Sequence, residues 1–172
     1  MIAKQLLSEQ VLEDMKDFIS NPYGFVLFAG KNGRGKSYVA KKVYEALARY
    51  QLPEYDREEA WFLNQIAIKS QWEFQRYEYG HTAKLMGDMS SSKFLVMDDL
   101  GVMEPSPSFM GFLYGVADNR SSNQHRLGTI ITTNLSSKAM IEQFGEAFFS
   151  RVASGRNYVF TGEDRRFENL GF

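Results

Sequence analysis

The chain has no cysteine, only two histidines (His81 and His125) and four prolines in 172 residues. Without thiols there is no disulfide and no thiolate metal centre, and two histidines are too few to suggest a structural zinc site. This usage fits a reducing, cytoplasmic compartment. Nor is there an excess of one charge: 20 Lys and Arg against 21 Asp and Glu give a formal net charge of −1, so any contact with a polyanion has to be local. No apolar run approaches membrane-spanning length, and Met1 to Gln10 is too polar for a secretory signal. The sequence predicts neither an exported nor a membrane-spanning protein. What is present is an ordinary globular composition, 44% hydrophobic and 24% charged, enough for one substantial core and one domain over residues 1–172. Aromatics stand out at 15%, with 14 Phe and 9 Tyr.

Gly30 to Ser37 reads Gly-Lys-Asn-Gly-Arg-Gly-Lys-Ser, a complete G-x-x-x-x-G-K-[ST] phosphate-binding loop. Consecutive backbone N–H groups have to turn inward around phosphates, and glycines at 30, 33 and 35 permit the positive φ that this requires. The preceding Phe25-Val26-Leu27-Phe28-Ala29 has the composition of a buried strand. The following residues repeat apolar side chains at three- and four-residue steps, so a helix N-terminus faces the anion. A chance match in a glycine-rich turn is the bland alternative, and the strand–loop–helix context argues against it. The expected ligand is a nucleoside triphosphate, ATP, held by Gly30, Lys31, Asn32, Gly33, Arg34, Gly35, Lys36 and Ser37. Lys36 reaches the β/γ-phosphates and Ser37 ligates Mg²⁺.

Along the rest of the chain, residues 4–20 carry helical periodicity and end at Asn21-Pro22, which makes residues 1–21 an N-terminal packing helix before a core over 22–172. Ala60 to Leu63 predicts a second strand, residues 65–86 a helical stretch interrupted near Gly80, and Phe94 to Asp99 a third strand. A helix over about 108–120, a β-branched strand from Thr129 to Asn134, short helices at 137–143 and 145–153, and a last strand from Asn157 to Thr161 complete the pattern. Strands alternate with helices, so the fold class is α/β with a parallel sheet covered on both faces.

Asp98 and Asp99 end an apolar strand, where the acidic element of a magnesium-dependent P-loop ATPase sits. Asp98 is placed to hold the Mg²⁺ ion and Asp99 to orient and deprotonate the attacking water. Paired acids at a strand end also serve as turn or cap residues. Asn134 closes another strand; its carboxamide can donate to a γ-phosphate oxygen and accept from water, or can simply shape the turn before Leu135-Ser136-Ser137. Arg151 lies on a late helix, where it either extends to a neighbouring subunit's nucleotide or is a solvated surface arginine.

Taken together, Gly30 to Ser37, Met97-Asp98-Asp99-Leu100-Gly101, Asp118-Asn119-Arg120, Thr129 to Leu135 and Ser150-Arg151-Val152 resemble, in order and spacing, the AAA+ ATPases of the DnaC/DnaI helicase-loader and IstB type. The likeness runs from about residue 22 to the C-terminus. It implies an ASCE-type P-loop NTPase with a five-stranded sheet in the order 5-1-4-3-2 and no or minimal lid. It also implies Asp98 at the magnesium site, Asp99 as catalytic acid, Asn134 as sensor and Arg151 as an arginine finger acting in trans. Arg165 or Arg166 stands near the place of a γ-phosphate-sensing arginine. Only about twenty residues precede the first strand, where such loaders carry a helicase-binding domain.

Residues 69–84 interleave aromatics with cations and amides, a composition suited to single-stranded DNA, since bases stack on rings and phosphates pair with cations. Lys69, Arg76, Trp72 and Lys84 are the expected contacts; the structural alternative has Trp72, Phe74 and Tyr77 covering the sheet. The function expected is a DnaC-like helicase loader in DNA replication that self-assembles with ATP or pairs with a related AAA+ subunit. Its partners would be single-stranded DNA and a replicative DnaB-type helicase. An IstB-like transposition ATPase that remodels duplex DNA is the alternative, and a P-loop small-molecule kinase a more distant one.

Overall fold

The computed structural model describes residues 4–6, 8–50 and 60–163. Thirteen elements follow one another: β1 (Lys4–Leu6), α1 (Ser8–Ser20), β2 (Gly24–Ala29), α2 (Lys36–Tyr50), β3 (Ala60–Asn64), α3 (Gln65–Tyr79), α4 (Ala83–Ser91), β4 (Phe94–Leu100), α5 (Pro107–Ser122), β5 (Gly128–Thr133), α6 (Ser137–Phe144), α7 (Glu146–Val152) and β6 (Arg156–Phe160). All strand pairs are parallel, in the order β1-β6-β2-β5-β4-β3. Without β1 this is the expected 5-1-4-3-2 arrangement.

Central strands of such a sheet are covered on both faces, and their sequences are correspondingly apolar throughout. Alternation still sorts their side chains. Phe25, Leu27, Leu95, Met97 and Ile131 join one core cluster, with Ile68, Trp72, Leu85, Met89, Phe109, Leu113, Phe148 and Val152 from α3, α4, α5 and α7. Val26, Phe28, Phe94, Val96 and Ile130 join the other, with Val11, Met15 and Phe18 of α1 and Val39, Val43 and Leu47 of α2. Two helices therefore cover one face and five the other. Among the described residues no lid follows β6.

Local chemistry sets the helix boundaries. Asn64 caps α3 by accepting from Ala67 N at 2.8 Å, and Gly80 ends that helix at φ 68°, the interruption expected there. Ser106 and Ser136 cap α5 and α6 in the same way, accepting from Phe109 N and Ala139 N.

One expectation fails at the N-terminus. Residues 4–6 are not helical: they form a sixth strand paired with β6, Lys4 opposite Tyr158 and Leu6 opposite Phe160. Helical periodicity in the sequence runs straight through this segment. Pairing with a strand more than 150 residues away overrides it, a non-local contact that no local pattern encodes.

Candidate nucleotide site

The C-terminal ends of β2, β4 and β5 lie side by side, with Ala29 in register with Thr133 and Leu100 with the same threonine. In a parallel α/β sheet this is the edge at which loops gather around a ligand. The glycine-rich turn leaves β2 here and runs directly into α2, whose first turn closes with Val39 N donating to Gly35 O at 2.9 Å. Gly30, Gly33 and Gly35 have φ of 135°, 74° and 88°, the backbone that the motif requires. Gly30 has a second constraint: a Cβ at this position would come within 2.7 Å of the Phe160 carbonyl oxygen of β6.

Lys36 is 4% exposed despite its charge. Its Nζ donates to Gly30 O at 2.7 Å, Lys31 O at 2.9 Å and Asn134 Oδ1 at 2.7 Å. One ammonium thus joins the loop from β2 to the residue that follows β5, and Asn134, expected as a sensor, stands beside the phosphate loop as well as at a turn. Lys31, Asn32, Arg34 and Asn134, with Gly162 and Glu163, line an open cleft of about 680 Å³. Arg34 Nη1 reaches Phe160 O at 3.4 Å, which ties the loop to β6.

The acidic pair depends on a local break in sheet geometry. Successive residues of a regular strand point to opposite faces, so Asp98 and Asp99 could not share one site. Between Met97, opposite Ile131, and Leu100, opposite Thr133, β4 has two residues where β5 has only Thr132, a β-bulge. Asp99 is the one non-glycine residue with positive φ among those described, at 54°. Such backbone is uncommon outside glycine and is tolerated best by Asp and Asn. Thr132 completes the bulge: its hydroxyl accepts from Asp99 N at 2.9 Å and donates to Asp98 Oδ1 at 2.6 Å. Asp98 is 7% exposed. The sequence reading missed Thr132, whose only signal was a hydroxyl at a strand end next to the acids.

Gln65 was also missed. It is fully buried at the start of α3, where Oε1 accepts from Gly101 N at 2.9 Å and Nε2 donates to Met103 O at 3.0 Å. Gln143 of α6 donates to the same carbonyl at 2.7 Å. The loop after the acidic pair is therefore held by side chains from two helices.

Arg151 stands apart from this cluster in its hydrogen bonding. Nε donates to Asp118 Oδ1 of α5 at 2.5 Å, Nη1 donates to Ala147 O at 2.9 Å, and the guanidinium carbon lies 4.6 Å from the centre of the Tyr114 ring. Its side chain is 29% exposed. Arg165 and Arg166 fall outside the described residues.

The expected DNA contacts divide. Trp72 cannot serve as a base platform: it is 5% exposed, belongs to the core and packs on Phe109 with ring centres 5.3 Å apart. Its position faces the sheet because α3 is anchored through the Ile68 and Trp72 side of the helix. Phe74 and Tyr77, in contrast, do not cover the sheet; with Tyr79 they are 57%, 89% and 63% exposed. Arg76 lies over the Trp72 ring at 4.6 Å, Lys69 is ion-paired to Glu73, and Lys84 pairs with Asp88 at 3.0 Å.

The chain matches no protein-family model and no curated protein in sequence. Solved structures do share its fold. A DnaC helicase loader superposes with a TM-score of 0.70 at 21% identity, over 95% of this chain and 94% of that one. DnaI gives a TM-score of 0.71 at 13% identity, over 96% and 88%. A DnaA replication initiator bound to AMPPCP and single-stranded DNA gives 0.73 at 11%, over 98% of this chain but half of that one. The chain thus shares its overall fold with these DnaC, DnaI and DnaA structures. No helix among the described residues is long and apolar enough to cross a membrane.

Proposed function

We propose that this chain is an AAA+ ATPase that acts in DNA replication as a DnaC-like helicase loader, assembling with ATP and touching single-stranded DNA. The observation that carries the reading is the meeting of Lys36, Asn134 and the loop carbonyls at one edge of the sheet. The bulged Asp98-Asp99 pair ends the neighbouring strand, and the overall fold matches DnaC over nearly the whole of both chains. Bound triphosphate would take the Lys36 ammonium from its carbonyl partners, exchanging neutral acceptors for an anionic one and strengthening the hydrogen bond.

The residues fit Mg²⁺. Ser37 and Asp98 offer hard oxygen donors, and Thr132 engages only one of the two Asp98 carboxylate oxygens. No group of three or more acidic or histidine side chains that could hold a metal occurs among the described residues. Magnesium itself keeps several waters and takes phosphate oxygens alongside one or two carboxylates rather than needing a full protein cage. Bound there, magnesium would neutralise charge on the phosphates. Asp99 would hold the attacking water and accept its proton, Asn134 would orient that water against the terminal phosphate, and Arg151 of a neighbouring copy would stabilise the developing charge.

For DNA, Phe74, Tyr77 and Tyr79 offer exposed rings, with Arg76, Lys69 and Lys84 near the backbone path. The Lys84 ion pair is solvent-exposed and that of Lys69 partly so, so both are of small net worth and a phosphate can replace their carboxylates.

The test is phosphate release from ATP at increasing protein concentration, with and without single-stranded DNA, alongside capture of a DnaB-type helicase and of a transposase. The expected outcome is a rate per subunit that rises with concentration, loss of nucleotide binding in Lys36→Ala, and recovery of helicase alone. A constant rate per subunit without helicase capture would overturn the loader reading; recovery of the transposase would replace it with a transposition ATPase.

A further inference from the structure

We propose that Asp118 is a positioning residue for Arg151, gripping its guanidinium at Nε so that Nη2 is left to meet the terminal phosphate held by a second copy of this chain. The inference rests on the trans role of Arg151 set out above. Its starting point is Asp118-Asn119-Arg120, a segment for which the nucleotide site itself has no use.

Two residues apart on α5, Asp118 and Arg120 project in different directions, since each helical step turns the side chain by about 100°. Arg120 points into the core and is fully buried. Asp118 points toward α7, where its Oδ1 takes the Nε proton of Arg151. At 45% and 29% side-chain exposure the pair is partly solvated, so its value as a stabilising ion pair is small. Its geometry is more informative. An arginine used only as a structural strut commonly engages a carboxylate by two parallel N–H donors. Here the carboxylate takes Nε alone, Ala147 O takes one Nη1 proton, and Tyr114 supports the ring face. No described residue engages Nη2.

A side chain fixed on three sides has already lost the rotamer freedom that an arginine otherwise gives up on meeting a phosphate. Its remaining edge carries two N–H donors in one plane, suited to two oxygens of a phosphoryl group. Asp118 also partly offsets the positive charge, so an equally simple arrangement is a restraint that competes with phosphate. A restraint would be expected to engage the Nη edge that phosphate needs, and the contact at Nε leaves that edge open.

The experiment mixes subunits. An Arg151→Ala chain keeps an intact nucleotide site but offers no finger; an Asp99→Asn chain binds ATP but cannot activate water, so it contributes only its Arg151. Mixing the two should restore hydrolysis. Replacing the second chain by Asp99→Asn/Asp118→Asn should lower the restored kcat by about 10-fold to 10²-fold, the cost of a misplaced catalytic group, with the KM for ATP unchanged. Asp118→Glu in the same background should recover part of the loss. Asp118→Asn is close to isosteric, and an unchanged thermal midpoint separates positioning from folding. If the first mixture restores nothing, the trans role of Arg151 fails and this proposal fails with it. If both mixtures are equally active, or the Asp118→Asn mixture is faster, the trans role stands and Asp118 does not position the finger.

Discussion

Thr132 shows how much a single hydroxyl can organise. Its oxygen accepts from the Asp99 backbone and donates to the Asp98 carboxylate, so it holds together the bulge at the two consecutive acids. Thr132→Val keeps the shape and removes the hydroxyl, leaving an amide and a buried carboxylate oxygen without their partner. The expected cost is about 1–3 kcal/mol in stability, read by denaturant unfolding, with a larger fall in ATP turnover than in ATP affinity. Equal stability and turnover in the valine variant would mean that the bulge holds itself. Asp99→Asn acts differently: on the role proposed for Asp99 as proton acceptor, hydrolysis should fall by about 10²-fold or more. Nucleotide binding, followed by fluorescence or calorimetry, should remain.

Between elements, the main tie is Arg120. From α5 its guanidinium donates to Thr129 Oγ1 at 2.7 Å and Gly128 O at 2.6 Å at the start of β5. It also donates to Met89 O at 2.8 Å in α4, and to Ser92 O and Oγ at 2.8 and 3.1 Å ahead of β4. Burial pushes its pKa down to about 9, still high enough to keep it charged at neutral pH. The fork satisfies backbone groups that the N-terminal ends of two strands and the end of a helix leave open, as buried carbonyls demand. Arg120→Met fits the volume but leaves those acceptors dry, and should cost about 3 kcal/mol or more. Arg120→Lys keeps a charge but has three donors on one point and no planar fork, so its thermal midpoint should fall between those of the parent and the methionine variant. A methionine variant as stable as the parent would show that water replaces the fork.

For the whole molecule, the sixth strand changes what the sheet presents to solution. β1 occupies the outer side of β6 over Tyr158 to Phe160. A chain beginning at residue 8 would expose that side as an unpaired edge, a template for association with other strands. The expected result, by sedimentation without nucleotide, is self-association that the parent does not show and that Lys36→Ala does not abolish. A shortened chain that stays as dispersed as the parent would mean the β6 edge is protected by other means. The ATP-dependent assembly proposed above would be a separate event, with its own dependence on Lys36.

Much of the site could be read from residue order alone, because the relevant chemistry is local. A phosphate loop needs glycines at fixed offsets, a lysine and a hydroxyl within eight residues, and a strand and helix on either side; each of these is a short-range feature. The five core strands and their helices followed from apolar runs and periodicity. What remained hidden was decided by contacts far apart in the chain. Whether Lys4 to Leu6 is helix or strand depends on β6; whether Trp72 or Tyr77 faces the core depends on how α3 is rotated onto the sheet; and β4 bulges at Asp98 and Asp99 where Thr132, 33 residues beyond Asp99, stands opposite both. Sequence determined the chemistry this chain carries, since that chemistry is a property of residue types and their near neighbours. Only the tertiary structure decided which of those groups meet, because burial and hydrogen bonding are settled by whatever the fold brings alongside.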